Sequence, residues 1–137
     1  MSKILIIDDE RDLVALLAKK LRTNGHEVFT AYDGRAGAEL AQRELPDLIL
    51  LDIMMPELDG FSAAKEIRKV SDTPILFLSA RGEEYDKIHG FENGGDDYVV
   101  KPFSPKELMM RVGAIIKRSK GNTIAKNHMQ TFEGLTI

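Results

Sequence analysis

The sequence predicts a doubly wound α/β domain with five parallel strands flanked by five helices, and three observations carry that prediction. First, four apolar runs stop abruptly on a polar residue. Ile4-Leu5-Ile6-Ile7 stops on Asp8-Asp9, Leu48-Ile49-Leu50-Leu51 on Asp52, Ile75-Leu76-Phe77-Leu78 on Ser79, and Tyr98-Val99-Val100 on Lys101. Continuous apolar runs of this length suit strands buried on both faces. Second, roughly twenty residues with helical periodicity separate one strand from the next, where a hairpin would need a short Gly/Asn turn, so the strands should be parallel. Third, 137 residues make one domain with a short tail, long enough to bury a real core. Parallel strands bring the polar residues at their ends to one rim.

Each element has its own signals. After Asp9, Leu13, Val14, Leu17 and Leu21 mark an amphipathic first helix, stopped by Asn24-Gly25. Residues 26–31 form the second strand. A second helix over residues 35–44 ends before Pro46, and Asp47 leads into the third strand. Beyond Asp52, a loop through Met54-Met55-Pro56 reaches Asp59-Gly60, where Asp59 caps a third helix carrying Phe61, Ala64 and Ile67. Pro74 opens the fourth strand. A fourth helix, residues 83–93, puts Ile88 and Phe91 on one side and stops at Gly94-Gly95, and the fifth strand follows from Asp97. The last helix has the clearest start in the chain, with Ser104 as N-cap, Pro105 in the first helical position and Glu107 three residues after the cap. Its core stripe is Leu108, Val112, Ile115 and Ile116. From 119 to 131 the apolar periodicity disappears, which reads as a linker, and residues 132–137 alternate again like the opening strand of a second, truncated domain.

Composition narrows the chemistry. The chain has no cysteine, which excludes disulfides and thiolate metal sites, and its three histidines are scattered rather than spaced as ligands. Any metal would therefore be held by oxygen. No run reaches transmembrane length, so neither a membrane span nor a membrane partner is expected, and the N-terminus enters the first strand without a signal-type apolar region, which points to the cytoplasm. A net charge of −3 argues against tight binding of a phosphate backbone by this chain itself.

Asp8, Asp9 and Asp52 end the first and third strands, and doubly wound sheets bind ligands where the strand order reverses. If those strands are neighbours, three carboxylates share one crevice. Two carboxylates about 4 Å apart repel by roughly 4 kcal/mol at an effective dielectric of 20, so full ionisation calls for a cation. Magnesium is the natural occupant, being a hard ion that keeps several waters and takes one or two carboxylates plus a phosphate oxygen. Manganese is the alternative.

Four ordered segments resemble the receiver domain of two-component response regulators: residues 3–10 (KILIIDDE), 47–60 (DLILLDIMMPELDG), 74–81 (PILFLSAR) and 94–103 (GGDDYVVKPF). The similarity covers residues 2–118. It implies the flavodoxin/CheY-like strand order 2-1-3-4-5 and a phosphoacceptor at Asp52, phosphorylated from a phosphohistidine on a sensor histidine kinase. It further implies a magnesium ion held by Asp9, Asp52 and the backbone carbonyl of Met54, with Asp8 completing the acidic pocket. Lys101 would supply a second positive charge, Ser79 would hydrogen-bond the phosphate once attached, and Tyr98 would be the switch aromatic that follows the Ser79 loop. Ser79 stands where threonine is also common, and Gly95 replaces a frequent alanine.

The resemblance is nearest to the OmpR/PhoB-like subclass with winged-helix DNA-binding outputs. It implies a homodimer formed on phosphorylation through the fourth helix, fifth strand and last helix, pairing Lys87 with Glu107, Asp97 with Arg111 and Asp96 with Arg118 around a patch of Ile88, Phe91 and Met109. Two-fold symmetry doubles each pair. DNA would be read only by the missing C-terminal domain, whose first strand is residues 132–137. Such a protein accepts its own phosphoryl group and slowly loses it, rather than turning over substrate. The alternatives are a stand-alone receiver that docks a protein partner and a phosphatase of the haloacid-dehalogenase type. The phosphatase needs a second Asp two residues after its nucleophile, where this chain has Met54.

Overall fold

The computed structural model describes residues 2–55, 58–79, 97–101 and 103–132, with the side chains of 79, 97 and 119–132 excepted. Five strands, β1 (Lys3–Ile7), β2 (Glu27–Ala31), β3 (Leu48–Asp52), β4 (Ile75–Ser79) and β5 (Asp97–Val100), form one parallel sheet in the order β2-β1-β3-β4-β5. Among the described residues there are four helices: α1 (Arg11–Thr23), α2 (Gly34–Glu44), α3 (Gly60–Arg68) and α4 (Pro105–Phe132). The expected helix over residues 83–93 lies outside the described residues, as do Lys87, Ile88, Phe91 and Asp96.

Alternation along the strands explains why they are apolar throughout. Ile4, Ile6, Leu48, Leu50, Leu76 and Leu78 face one side and pack with Val14, Leu17 and Leu21 of α1 and Leu108, Val112 and Ile115 of α4. Leu5, Ile7, Ile49, Leu51, Ile75 and Phe77 face the other side, against Ala38 and Ala41 of α2 and Ala63, Ala64 and Ile67 of α3. Small residues on α2 and α3 let those helices sit close to the sheet. At Gly37 a Cβ would collide with the side chain of Ile7.

The helix ends follow local chemistry. Gly25 follows α1 with φ 92°, a conformation that glycine adopts without steric cost. Asp59 caps α3 as expected, accepting from the Ser62 amide at 2.9 Å, and the Ser104 hydroxyl accepts from the Glu107 amide at 3.3 Å. α2 begins earlier than its periodicity suggests, because the Asp33 carboxylate accepts from the Ala36 amide at 2.8 Å and so admits Gly34 to the helix.

Two expectations at the C-terminal end differ from what is found. The helix continues through the segment read as a linker and takes in Phe132, which was expected to open a strand. A strand needs a ladder partner, whereas a helix closes its hydrogen bonds within itself, so losing the apolar stripe does not by itself end the helix. Residues 133–137 lie outside the described residues.

Candidate functional site

Register along the sheet assembles the rim. β1 pairs with β3 so that Ile7 lies opposite Leu51, which puts Asp8, one residue on, beside Asp52. β3 pairs Asp52 with Leu78, and the Ile53 amide donates to the Leu78 carbonyl at 3.0 Å, so Ser79 ends its strand level with Ile53. β4 pairs Ser79 with Val100, and Lys101 is the next residue. Residues far apart in sequence are thus brought to one edge by an unbroken ladder. The side chain of Ser79 is not among those described.

Asp8, Asp9 and Asp52 each present a carboxylate oxygen within 4.8 Å of the others. Asp8 and Asp52 are buried and Asp9 is exposed, so the group opens to solvent on one side. Asp8 is held from two directions. Its amide donates to the Ala31 carbonyl at 3.1 Å, and its Oδ1 accepts from the Glu10 amide at 2.9 Å.

Lys101 crosses the crevice. Its Nζ lies 2.8 Å from Asp8 Oδ2, 2.6 Å from Glu10 Oε1 and 3.5 Å from Asp52 Oδ1. Glu10 carries no signal in the sequence beyond its place after the Asp pair. Its partner is 91 residues away, so only the folded sheet brings the two together.

Burial is the main reason that the Asp52 carboxyl is pushed up from 3.8 to about 7. The charge of Asp8 pushes the same way, Lys101 opposes it, and Asp9 adds to the rise. For Lys101 burial works toward a lower value, but hydrogen bonds to Asp8 and Glu10, with the charges of Asp52 and Asp8, outweigh it and hold the ammonium above the ordinary lysine range. One lysine faces the four carboxylates of Asp8, Asp9, Glu10 and Asp52, so the crevice carries excess negative charge.

That imbalance is the test of whether a metal fits. An all-oxygen donor set, buried on one side and open on the other, with a carboxyl whose ionisation is disfavoured by burial and by Asp8, suits a hard divalent cation that keeps part of its water shell. The loop beyond β3 is tied at its base, the Gly60 amide donating to the Ile53 carbonyl at 2.9 Å. A Cβ at Gly60 would collide with the Asp52 carbonyl oxygen, so glycine permits this closure. Met54, in the loop after β3, is exposed. No acid stands at that position to protonate a leaving group, as a turnover phosphatase would need.

Away from the crevice, Tyr98 is half-buried against the core on the α2/α3 side, opposite Phe77 in register. On α4, Arg111 Nε lies 3.7 Å from Glu107 Oε2 of the same helix, Met109 packs against the α1-side core, and Arg118 is exposed. Asp97 is the first residue of β5. Among the described residues, no helix is long and apolar enough to cross a membrane.

Residues 4–113 match the family described as "Response regulator receiver domain". The chain is similar to a probable transcriptional regulator ycf27 of Guillardia theta, 50% identical over 140 residues that cover 98% of this chain and 55% of the relative. It is also similar to the alkaline phosphatase synthesis transcriptional regulatory protein PhoP of Bacillus subtilis (strain 168), 49% identical over 119 residues that cover 86% of this chain and 50% of the relative. The chain spans about half the length of the curated relatives it matches. Among solved structures, the Francisella response regulator 1452 receiver domain superposes with a TM-score of 0.81 at 38% identity, covering 87% of this chain and 99% of that one.

Proposed function

The chain belongs to the response regulator receiver domain family, and from that premise we propose that Asp52 is its phosphoacceptor, served by magnesium, Lys101 and Ser79. It is the receiver domain of a two-component response regulator, a phosphoacceptor rather than a turnover enzyme, and its relatives in Guillardia theta and Bacillus subtilis are named as transcriptional regulators.

The observation that carries the assignment is the position of the Asp52 carboxylate, at the end of a central strand and within 4.8 Å of two further carboxylates, with an ammonium at 3.5 Å. In the proposed reaction an Asp52 oxygen attacks the phosphorus of a phosphohistidine on a sensor histidine kinase. The new O–P bond forms as the P–N bond breaks, and the imidazole nitrogen leaves with the electron pair and takes a proton from solvent. Asp9, Asp52 and the Met54 carbonyl would hold the magnesium ion, with Asp8 behind them, or manganese in its place. When bound, the ion neutralises charge on the transferring phosphoryl oxygens. Asp52 must be ionised to attack, and a cation held by the same acids would favour its ionised form. Lys101 meets a phosphoryl oxygen from the β5 side, and the Ser79 hydroxyl donates to another. Slow hydrolysis of the acyl phosphate resets the domain.

Movement of the Ser79 loop and of Tyr98 would then carry the signal to the face built from the 83–93 segment, β5 and α4, where a second copy docks. Attached to a winged-helix domain beyond this chain, the dimer would act on DNA in the cytoplasm. The relatives' roughly doubled length supports such an output domain. A stand-alone receiver that docks a protein partner is the alternative, decided by translating the DNA beyond Ile137.

The test separates an acceptor from a phosphatase. Offered a generic phosphate ester with magnesium, the protein should show no sustained hydrolysis, while a P–N phosphodonor should add one phosphoryl group per chain. Multiple turnovers on the ester would overturn the reading.

A further inference from the structure

We infer that Glu10 is a positioning residue that competes with the incoming phosphoryl group for Lys101 and so slows phosphorylation of Asp52. The inference rests on the reading of Asp52 and Lys101 above. An ammonium has three hydrogens to donate. Two are committed, at 2.6 Å to Glu10 Oε1 and 2.8 Å to Asp8 Oδ2, while Asp52 Oδ1 stands at 3.5 Å, beyond the usual range of a good hydrogen bond. The third hydrogen is left for Asp52 Oδ1 at the longer distance, so Glu10 and Asp8 fix where the ammonium sits. To move closer to a phosphoryl oxygen carried on Asp52, Nζ must lengthen one of its shorter contacts.

The two contacts differ in how readily they break. Asp8 has no exposure and is fixed by the Glu10 amide, and it belongs to the carboxylate group suited to a cation. Glu10 has a side chain 59% exposed and a backbone already anchored by its amide, so water can replace the lysine at its carboxylate. Breaking the Glu10 contact is the easier step. It still opposes transfer, because the ion pair exists before the reaction and is lost during it, so its strength adds to the barrier rather than lowering it. Glu10 has no other side-chain partner among the hydrogen bonds and ion pairs of the described residues, which fits a restraint on Lys101 better than a contribution to the core.

The experiment measures the rate of Asp52 phosphorylation by phosphoramidate at saturating magnesium, which removes any effect on metal affinity. Glu10→Gln should react about threefold to fivefold faster than the natural chain, the span that an exposed ion pair supports. Removing a negative charge could also speed the approach of an anionic donor, and a second comparison separates this from the restraint. In a Lys101→Met background, adding Glu10→Gln should change the rate by less than about a third of that factor. An unchanged rate in the single variant, or an equal acceleration with and without Lys101, would overturn the inference while leaving Asp52 as the acceptor. Failure of the natural chain to label would overturn both readings. The 15N resonance of the Lys101 ammonium in metal-free protein should shift in Glu10→Gln, and an identical resonance would also contradict the restraint.

Discussion

At Asp52 the geometry makes a pH-dependent statement about stability. Its carboxyl is raised from 3.8 to about 7, chiefly by burial and then by the charge of Asp8, so the folded state holds a proton that the unfolded chain releases at lower pH. Stability from this residue is thus complete below about pH 4 and is lost as pH rises through about 7. Asp52→Asn removes the loss, and in metal-free buffer at pH 8 it should be more stable than the natural chain by about 2–4 kcal/mol, with little difference at pH 4. Urea denaturation in the presence of a chelator measures both; an equal gain at the two values would contradict the assignment. Magnesium should recover the deficit in the natural chain by binding the folded state. Asp9 is exposed, so Asp9→Asn should leave stability within about 0.5 kcal/mol while weakening magnesium at least about tenfold by calorimetry. Asp8, Asp9, Asp52 and Lys101 were legible as residues because each ends an apolar run. Glu10 was not, since an exposed glutamate after a strand resembles any solvated side chain until Lys101 is folded against it.

Among the elements, the loop from β3 into α3 bears most directly on the site. Gly60 lets its amide reach the Ile53 carbonyl, and a Cβ there would press on the backbone of Asp52 and Ile53. Gly60→Ala should cost about 1–3 kcal/mol and weaken magnesium as well, because the collision falls on the backbone of Asp52 itself. Asp59→Ala removes only the cap and should cost about 1 kcal/mol with magnesium affinity unchanged. Thermal melts and calorimetry on the two variants separate the effects. Asp59 and Ser104 were readable because a cap is a local device. The start of α2 was less so, since Asp33-Gly34 reads equally as a turn, and only the bond from Asp33 to the Ala36 amide decides it. The extent of α4 escaped for the opposite reason. Apolar periodicity ends after residue 118, so the pattern that marks a helix in sequence is missing where the backbone is still helical.

For the whole molecule, strand order follows from which apolar runs are longest and driest. β1, β3 and β4 have the most completely buried runs and lie inside, whereas β2 and β5 carry half-buried residues and lie at the edges. That arrangement puts β5 and α4 at one side of the domain, where the proposed dimer forms. In the single chain Arg111 pairs with Glu107, so dimerisation would exchange a contact within one helix for contacts between copies. Beryllofluoride should bring about the proposed dimer, Lys87→Glu should weaken it, and Glu107→Lys in the same chain should restore it, as read by analytical ultracentrifugation. Dimers unaffected by either change would place the interface elsewhere.

The proposed function depends on one carboxylate accepting one phosphoryl group. Intact mass spectrometry after treatment with phosphoramidate tests that most directly, on the natural chain and on Asp52→Asn, each with and without magnesium. A single added phosphoryl group is expected on the natural chain with magnesium and on none of the other three samples. Equal labelling of Asp52→Asn, or labelling indifferent to the metal, would contradict the account.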